Sequence, residues 1–302
     1  MTRLIAASIA QPIEALASFA DFAARMETLL TEARGRGADL SVLPEYGSMG
    51  LASLFGAAVA ADAKASVVAM QGLAADYDAL FARLAARLEM HVLAPSFPLA
   101  GAGGRFFNVA RLHTPQGRSG AQYKQVMTRF ERETWDIRRG AEAGEGIKVF
   151  ETALGRIGVA ICYDAEFPLI ARAMAEAGAE IILVPSCTDS HRGYWRVRIG
   201  AQARALENQC YVLHAPTVGD APWSAAVDAN KGAAAIYAPP DGDFPDDGVV
   251  AIGPLDDAAV VAAALDLEKV RAVRREGKVL NHLHWAEQAG APALNATPVD
   301  LR

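Results

Sequence analysis

Apolar positions along the chain follow two alternating patterns. Short runs rich in Val, Ile and Leu read as buried strands, and between them lie longer Ala-, Leu- and Arg-rich stretches with apolar residues at helical spacing. Residues 4–10 predict a first strand, and residues 13–36 a helix with Leu16, Phe19, Phe22, Met26, Leu29 and Leu30 on one face. Strands follow at 40–43 and 91–95, with a second long helix at 67–90 between them, and residues 107–113 and 122–127 continue the sheet. Between residues 155 and 216 the alternation becomes regular: strand 157–161, helix 167–177, strand 181–184, helix 194–207, strand 210–214. A Gly-, Pro- and Asp-rich region follows, broken by apolar runs at 232–237 and 249–252. A strand at 260–267 and a short helix at 268–275 close the pattern. Strands and helices in alternation predict a layered α/β fold. With no Pro/Ser-rich linker and no repeat of solenoid period, residues 1–302 are expected to form one domain.

Composition narrows the functional classes. Lys plus Arg number 29 against 35 Asp plus Glu, a net charge of -6 with no long run of either sign, which argues against a nucleic-acid partner. The longest uncharged stretch, residues 46–61, carries Gly and Ser and is shorter than the roughly 20 apolar residues a membrane helix needs, so no membrane partner is expected. Met1-Thr2-Arg3 before the first apolar run imitates a secretion signal, but Gln11-Pro12 and an amphipathic acidic stretch follow without a cleavage context. The 3 cysteines, Cys162, Cys187 and Cys210, cannot all pair and have no CxxC spacing, which points to a reducing cytoplasm.

Three positions could carry chemistry. Cys162 ends an apolar strand and opens Cys-Tyr-Asp-Ala-Glu-Phe-Pro, a strand-to-helix turn where free backbone N–H groups can face a developing oxyanion. A buried strand cysteine acting as a small hydrophobe fits the same pattern. Glu45, in Leu-Pro-Glu, stands at the carboxyl end of another predicted strand, where open α/β sheets build their sites, although a solvated loop glutamate would look the same. Lys124, in Tyr-Lys-Gln, is one of only 6 lysines, and a lysine near acids is commonly a surface pair of little energetic weight.

Taken together, Glu45, Lys124 and Cys162 in that order and context resemble the Glu-Lys-Cys triad of the nitrilase (carbon-nitrogen hydrolase) superfamily. The resemblance runs through Leu43-Pro44-Glu45, Tyr123-Lys124, residues 158–168 and Arg204-Ala205-Leu206-Glu207-Asn208-Gln209, and residues 232–239 are similar to the family's later strand bounded by Gly and Pro. It implies a four-layer αββα sandwich and cysteine acylation chemistry without a metal or other cofactor. In that scheme Glu45 is the general base, Lys124 favours the thiolate and stabilises the oxyanion, and the Tyr163 N–H is a second oxyanion donor. The family's second glutamate has two candidates here. Glu131, in the Glu-Arg-x-x-Trp context, is preferred over Glu133.

Cys187, Tyr194, Trp195 and His214 are candidates for the acyl pocket, with core or rim packing as the alternative for each. His214 as the base of a Cys-His hydrolase would leave Glu45 and Lys124 unexplained. His282 and His284 are too few for a metal site. Gly101-Ala102-Gly103-Gly104 lacks the Lys-Ser/Thr of a phosphate loop. The expected activity is hydrolysis of a small amide or carbamoyl compound, because the nucleophile stands in Cys-Tyr-Asp rather than the Cys-Trp-Glu of the nitrilase branch. The Glu-Arg context leans toward a nitrile substrate, and an inactive scaffold subunit is the third reading. A homodimer or higher homo-oligomer is implied by the resemblance alone.

Overall fold

The computed structural model describes residues 2–288 and 296–302. In chain order the strands are β1 Arg3–Pro12, β2 Leu40–Val42, β3 His91–Leu93, β4 Phe97–Ala100, β5 Phe106–His113, β6 Ser119–Tyr123, β7 Ile137–Arg138, β8 Lys148–Thr152, β9 Gly155–Val159, β10 Ile181–Ser186 and β11 Tyr211–Asp220. They continue with β12 Ala229–Asn230, β13 Ala235–Tyr237, β14 Val249–Ile252, β15 Ala259–Asp266 and β16 Thr297–Asp300. The helices are α1 Phe19–Gly35, α2 Ala57–Ala60, α3 Ala63–Met70, α4 Ala74–Arg87, α5 Pro168–Glu176, α6 His191–Asn208, α7 Leu267–Glu276 and α8 Asn281–His284.

The strands form two sheets. In the first, β1 lies between β15, antiparallel to it, and parallel β2, and the sheet continues through β3 and β5 to β4. In the second, β9, β10 and β11 run parallel, with β8 and β16 beyond β9 and with β13 and β14 beyond β11. The end of β1 reaches across to β11, pairing Gln11 with Thr217 and Pro12 with Val218, and joins the two sheets. Alternation along β1 shows the layering. Leu4 and Ala6 pack with Leu40, Val42, Leu93 and the second sheet's Ile157, Val159 and Leu183, whereas Ala7 and Ile9 pack outward against Phe22, Met26 and Leu30 of α1 and Phe81 of α4. Helices α5 and α6 cover the other face of the second sheet through Ile170, Met174, Val197 and Ala201. The result is the expected αββα sandwich.

Several boundaries differ from those the pattern predicts. The helix expected from residue 13 starts at Phe19, because the Ser18 side chain caps it by accepting from the Asp21 N–H at 3.1 Å, and residues 13–18 approach as a loop that buries Ile13 and Leu16. The helix expected at 67–90 is two helices, α3 and α4. At the break Gln71 donates to the Pro98 carbonyl and accepts from the Ala100 N–H, tying the helices to β4. Strand β6 stops at Tyr123, immediately before Lys124, and β11 runs on to Asp220. Helix α6 starts earlier than residue 194, at His191, with the Ser190 hydroxyl accepting from the Gly193 N–H.

Candidate active site

The site lies where strand ends of the two sheets meet. Glu45 follows β2, and its loop is fixed from both sides. The Tyr46 N–H donates to the Ser96 hydroxyl at 2.9 Å, and the Ser48 hydroxyl donates to the Ser96 carbonyl at 2.7 Å. Tyr46 itself is in the left-handed region at φ 53°, a conformation non-glycine residues rarely adopt. Lys124 is placed by main-chain bonds, its N–H donating to the Asn108 carbonyl and its carbonyl accepting from the Gly140 N–H. Glu131 opens a wide π-type turn, Glu131–Trp135, of the kind often found at functional sites. Trp135 of that turn packs on Tyr46 with ring centroids 4.6 Å apart.

These elements bring three charges together out of water. Lys124 Nζ lies 2.7 Å from Glu45 Oε1 and 2.6 Å from Glu131 Oε2. The three residues are 1%, 2% and 3% exposed, in the order Lys124, Glu45, Glu131, so the pairs are not surface decoration. Asn108 Nδ2 donates to Glu45 Oε1 at 2.8 Å and to Glu131 Oε1 at 3.3 Å. The Tyr46 hydroxyl and the Thr128 N–H and hydroxyl complete the shell of Glu131, each at 2.9 Å. Glu45 Oε2 accepts from the Cys187 N–H at 3.0 Å.

Cys162 enters from the second sheet. It opens the turn Cys162–Glu166 after β9, is buried, and has a positive φ of 49°. The left-handed backbone at the strand-to-turn junction is strained for a non-glycine residue, and it falls at the turn the sequence context singled out. Its thiol donates to the Cys187 carbonyl at 3.7 Å. The Cys187 peptide unit therefore touches the Glu45 carboxylate and, through its carbonyl, the Cys162 sulfur.

The charge balance sets the protonation states. Burial and the Glu45 charge push the Cys162 thiol well above its ordinary value, and Lys124 only partly opposes them. Lys124 does pull toward the thiolate, as expected of it, but burial and the Glu45 charge together outweigh that pull. Burial works against the Lys124 charge, but Glu131 and Glu45 outweigh it, and the ammonium is held well above a free lysine's value. The two carboxylates are driven apart. Burial raises Glu45 despite Lys124, whereas in Glu131 burial is outweighed by Lys124, the Thr128 N–H and the Tyr46 hydroxyl, and its value falls. Of the pair, Glu45 is the carboxylate with the greater proton affinity.

Of the residues anticipated from sequence, Glu45, Lys124, Glu131 and Cys162 share this cluster. Glu133 does not, since its side chain is 61% exposed and pairs with Arg129 at 2.8 Å. Cys187 contributes its peptide unit, while burial pushes its thiol up to about 12. Tyr163 packs edge-on against Phe167. Two pocket candidates lie in the packed interior. Tyr194 and His214 are fully buried and stacked on each other, with His214 Nε2 at 2.8 Å from the Ser186 hydroxyl, so they pack at the end of β10 on the α6 side, the core alternative of the sequence reading. Trp195, by contrast, is 46% exposed. Sequence reasoning missed Asn108, Tyr46 and Asp164. The signal for Asn108 was a lone amide in the apolar run Phe-Phe-Asn-Val-Ala, a residue type strands otherwise avoid. Among the described residues no group of His, Cys, Asp and Glu is arranged to hold a metal ion, and no helix is long and apolar enough to cross a membrane.

Fold and sequence together place the chain among the carbon-nitrogen hydrolases. The family model for carbon-nitrogen hydrolases matches residues 5–275, and the chain belongs to that family. A probable hydrolase, YhcX, of Bacillus subtilis is 35% identical over 265 residues, which cover 87% of this chain and 50% of that protein. A deaminated glutathione amidase of Synechocystis is 32% identical over 141 residues, covering 43% of this chain and 51% of its own. The chain thus spans about half the length of these curated relatives. Among solved structures, Saccharomyces cerevisiae Nit3 of the nitrilase superfamily superposes with a TM-score of 0.69 at 19% identity, covering 91% of this chain and 94% of that one. An amidase from Nesterenkonia, seen with the acetamide moiety of fluoroacetamide added covalently at its active-site cysteine, gives 0.67 at 17% identity and covers 93% and 96%. At these identities the structural likeness speaks for the fold.

Proposed function

We propose that the protein hydrolyses a non-peptide C–N bond of a small amide or carbamoyl compound through a thioester on Cys162. The observation that carries this reading is the buried Glu45–Lys124–Glu131 cluster closing on a strained cysteine turn. Glu45 takes the thiol proton as sulfur bonds to the carbonyl carbon. The oxyanion is met by the Lys124 ammonium and by the Tyr163 N–H, one of the first amides of a helical turn, which have no partner within it. Glu45 returns the proton to the nitrogen, the C–N bond breaks, and ammonia or an amine leaves. Glu45 then deprotonates a water that attacks the thioester, releasing the carboxylate and restoring the thiol. Glu131 holds Lys124 cationic and oriented throughout. The neutral resting thiol makes the proton transfer to Glu45 part of the attack.

A nitrile would reach the same thioester through a thioimidate, and is the second reading because Glu131 stands in the Glu-Arg-x-x-Trp context. An inactive scaffold would have no use for a fully assembled cluster whose burial costs stability. The three unpaired thiols fit a reducing cytoplasm. The outward face of α6 shows Trp195, Ile199 and Leu206 at 46%, 62% and 44% exposure, an apolar stripe suited to pairing with a second copy. Ammonia release from an amide and a nitrile sharing one acyl group is the deciding measurement. The amide is expected to have the higher kcat/KM by at least about tenfold, or roughly 1.4 kcal/mol in the barrier, and a clear preference for the nitrile moves the protein to the other branch.

A further inference from the structure

Asp164 lies two residues beyond Cys162 and is 1% exposed, yet it forms no salt bridge among the described residues. Its carboxylate is used elsewhere. Oδ1 accepts the Val126 N–H at 2.8 Å, and the Gln125 N–H lies 3.1 Å from Oδ2 and 3.2 Å from Oδ1. Those two amides belong to the residues immediately after Lys124. A single side chain thus connects the nucleophile's turn to the segment that carries the ammonium, and so joins the second sheet to the first inside the site. Burial raises Asp164 to about 7, against the charge of Lys124 and the two N–H donors and with Glu131 adding to the rise. An apolar residue would fill the space at lower cost, so the cost of this carboxyl indicates that its acceptor capacity is in use.

We propose that Asp164 is a positioning residue, fixing the Lys124 ammonium relative to the Cys162 sulfur by holding the Gln125 and Val126 amides. The inference rests on the roles given above to Cys162 and Lys124. Among the described residues the Lys124 main chain bonds to Asn108 and Gly140, both on the first sheet's side of the site. Asp164 supplies the restraint toward the nucleophile. Asn at this position keeps the shape but points a donor where a backbone N–H already donates, so the Lys124 segment loses one anchor while the packing stays.

The test uses the full chain and iodoacetamide as a thiol probe, with alkylation of Cys162 followed by mass spectrometry beside amide turnover. Asp164→Asn is expected to lower kcat and the Cys162 alkylation rate together by about tenfold or more, with KM within about twofold and the folded fraction unchanged. In a Lys124→Gln background the same substitution should leave the alkylation rate within about twofold, since the effect passes through the ammonium. An unchanged kcat per folded molecule, or a loss that merely tracks unfolding, overturns the inference, and so does an undiminished effect in the Lys124→Gln background. Activity surviving in Cys162→Ala would instead overturn the underlying reaction, which keeps the two failures distinguishable.

Discussion

The two sheets contribute to the site in different ways. From the first come side chains gathered over long sequence distances: Asn108 meets Glu45 across 63 positions and Lys124 meets Glu45 across 79. From the second comes a local piece of backbone, the turn Cys162–Glu166, whose left-handed first residue is set by a few consecutive residues. One half is an electrostatic network that exists only once the fold is complete. The other is a corner that any strand running into this turn would form. Damage should differ accordingly, with the network failing by degrees as members are removed and the corner losing function all at once.

The largest effects test the corner and its base. Cys162→Ala is expected to lower kcat by at least about 10⁴-fold with the fold intact, because one sulfur is the nucleophile but a small part of the buried volume. Alanine at Cys187 or Cys210 should leave turnover standing, and inactivation by alkylation at Cys187 instead would move the nucleophile. Glu45→Gln should cost about 10³-fold and retain a folded protein. The raised value of Glu45 also fixes the sign of the pH response. Activity is expected to fall as pH drops through that value, since the base must be unprotonated at the start. In stability the same group acts in the opposite sense. Its folded value lies above its unfolded one, so its contribution to the fold is present at low pH and is lost as pH rises through the folded value. A pH-rate profile and a pH-melting series on one sample check both signs.

The network offers a finer comparison, between two glutamates two residues apart. Glu131 touches Lys124, Tyr46, Asn108 and Thr128, whereas Glu133 pairs with Arg129 in solvent. Glu131→Gln should reduce kcat by about 10²-fold, because the ammonium loses the partner that holds it against the oxyanion. Glu133→Gln should stay within about twofold of the parent, as exposed pairs carry little. Kinetics on the two variants read this directly, and equal effects would mean that the buried contact does not matter to the reaction.

What could be read in advance follows the same division. The strand-turn-helix around Cys162 was legible because its information is local: an apolar strand, a polar turn, then Pro168 at the first position of α5. Glu45 could be named because it closes a strand pattern and Lys124 because it is a rare lysine in a context that resembles the family's, but their burial could not, since a lysine beside acids looks the same in solvent. Asn108, Tyr46 and Asp164 were out of reach for a physical reason. Each acts through partners dozens of positions away, and only the packed sandwich decides which polar side chain meets which. The helix starts at Phe19 and His191 were misplaced because apolar spacing runs on through Ile13 and Leu16, or begins late at Tyr194, while the ends are set by the serine caps at Ser18 and Ser190.

The smallest effect sharpens the comparison from the backbone side. Helix α6 crosses directly over the nucleophile turn, and its Arg204 donates to the Ala165 carbonyl at 2.9 Å. One turn earlier, Gly200 lies so close that an added Cβ would stand 2.8 Å from that same carbonyl oxygen. The obstacle is main chain, which cannot rotate aside, so Gly200→Ala must lift the helix or shift the turn. An overpacked contact of this kind is expected to cost about 1–3 kcal/mol, offset in part by the roughly 0.5–1 kcal/mol that alanine gains over glycine within a helix. Gly35, at the end of α1, is the control, because nothing lies within 4 Å of the atom it would gain. Gly35→Ala should leave the melting temperature level or slightly higher, whereas Gly200→Ala should lower it and also slow Cys162 alkylation, because the shifted turn carries the nucleophile with it. A Gly200→Ala protein that melts lower but alkylates at the parent rate would show that the turn is held by β9 and Asp164 alone, and that α6 contributes stability without positioning the sulfur.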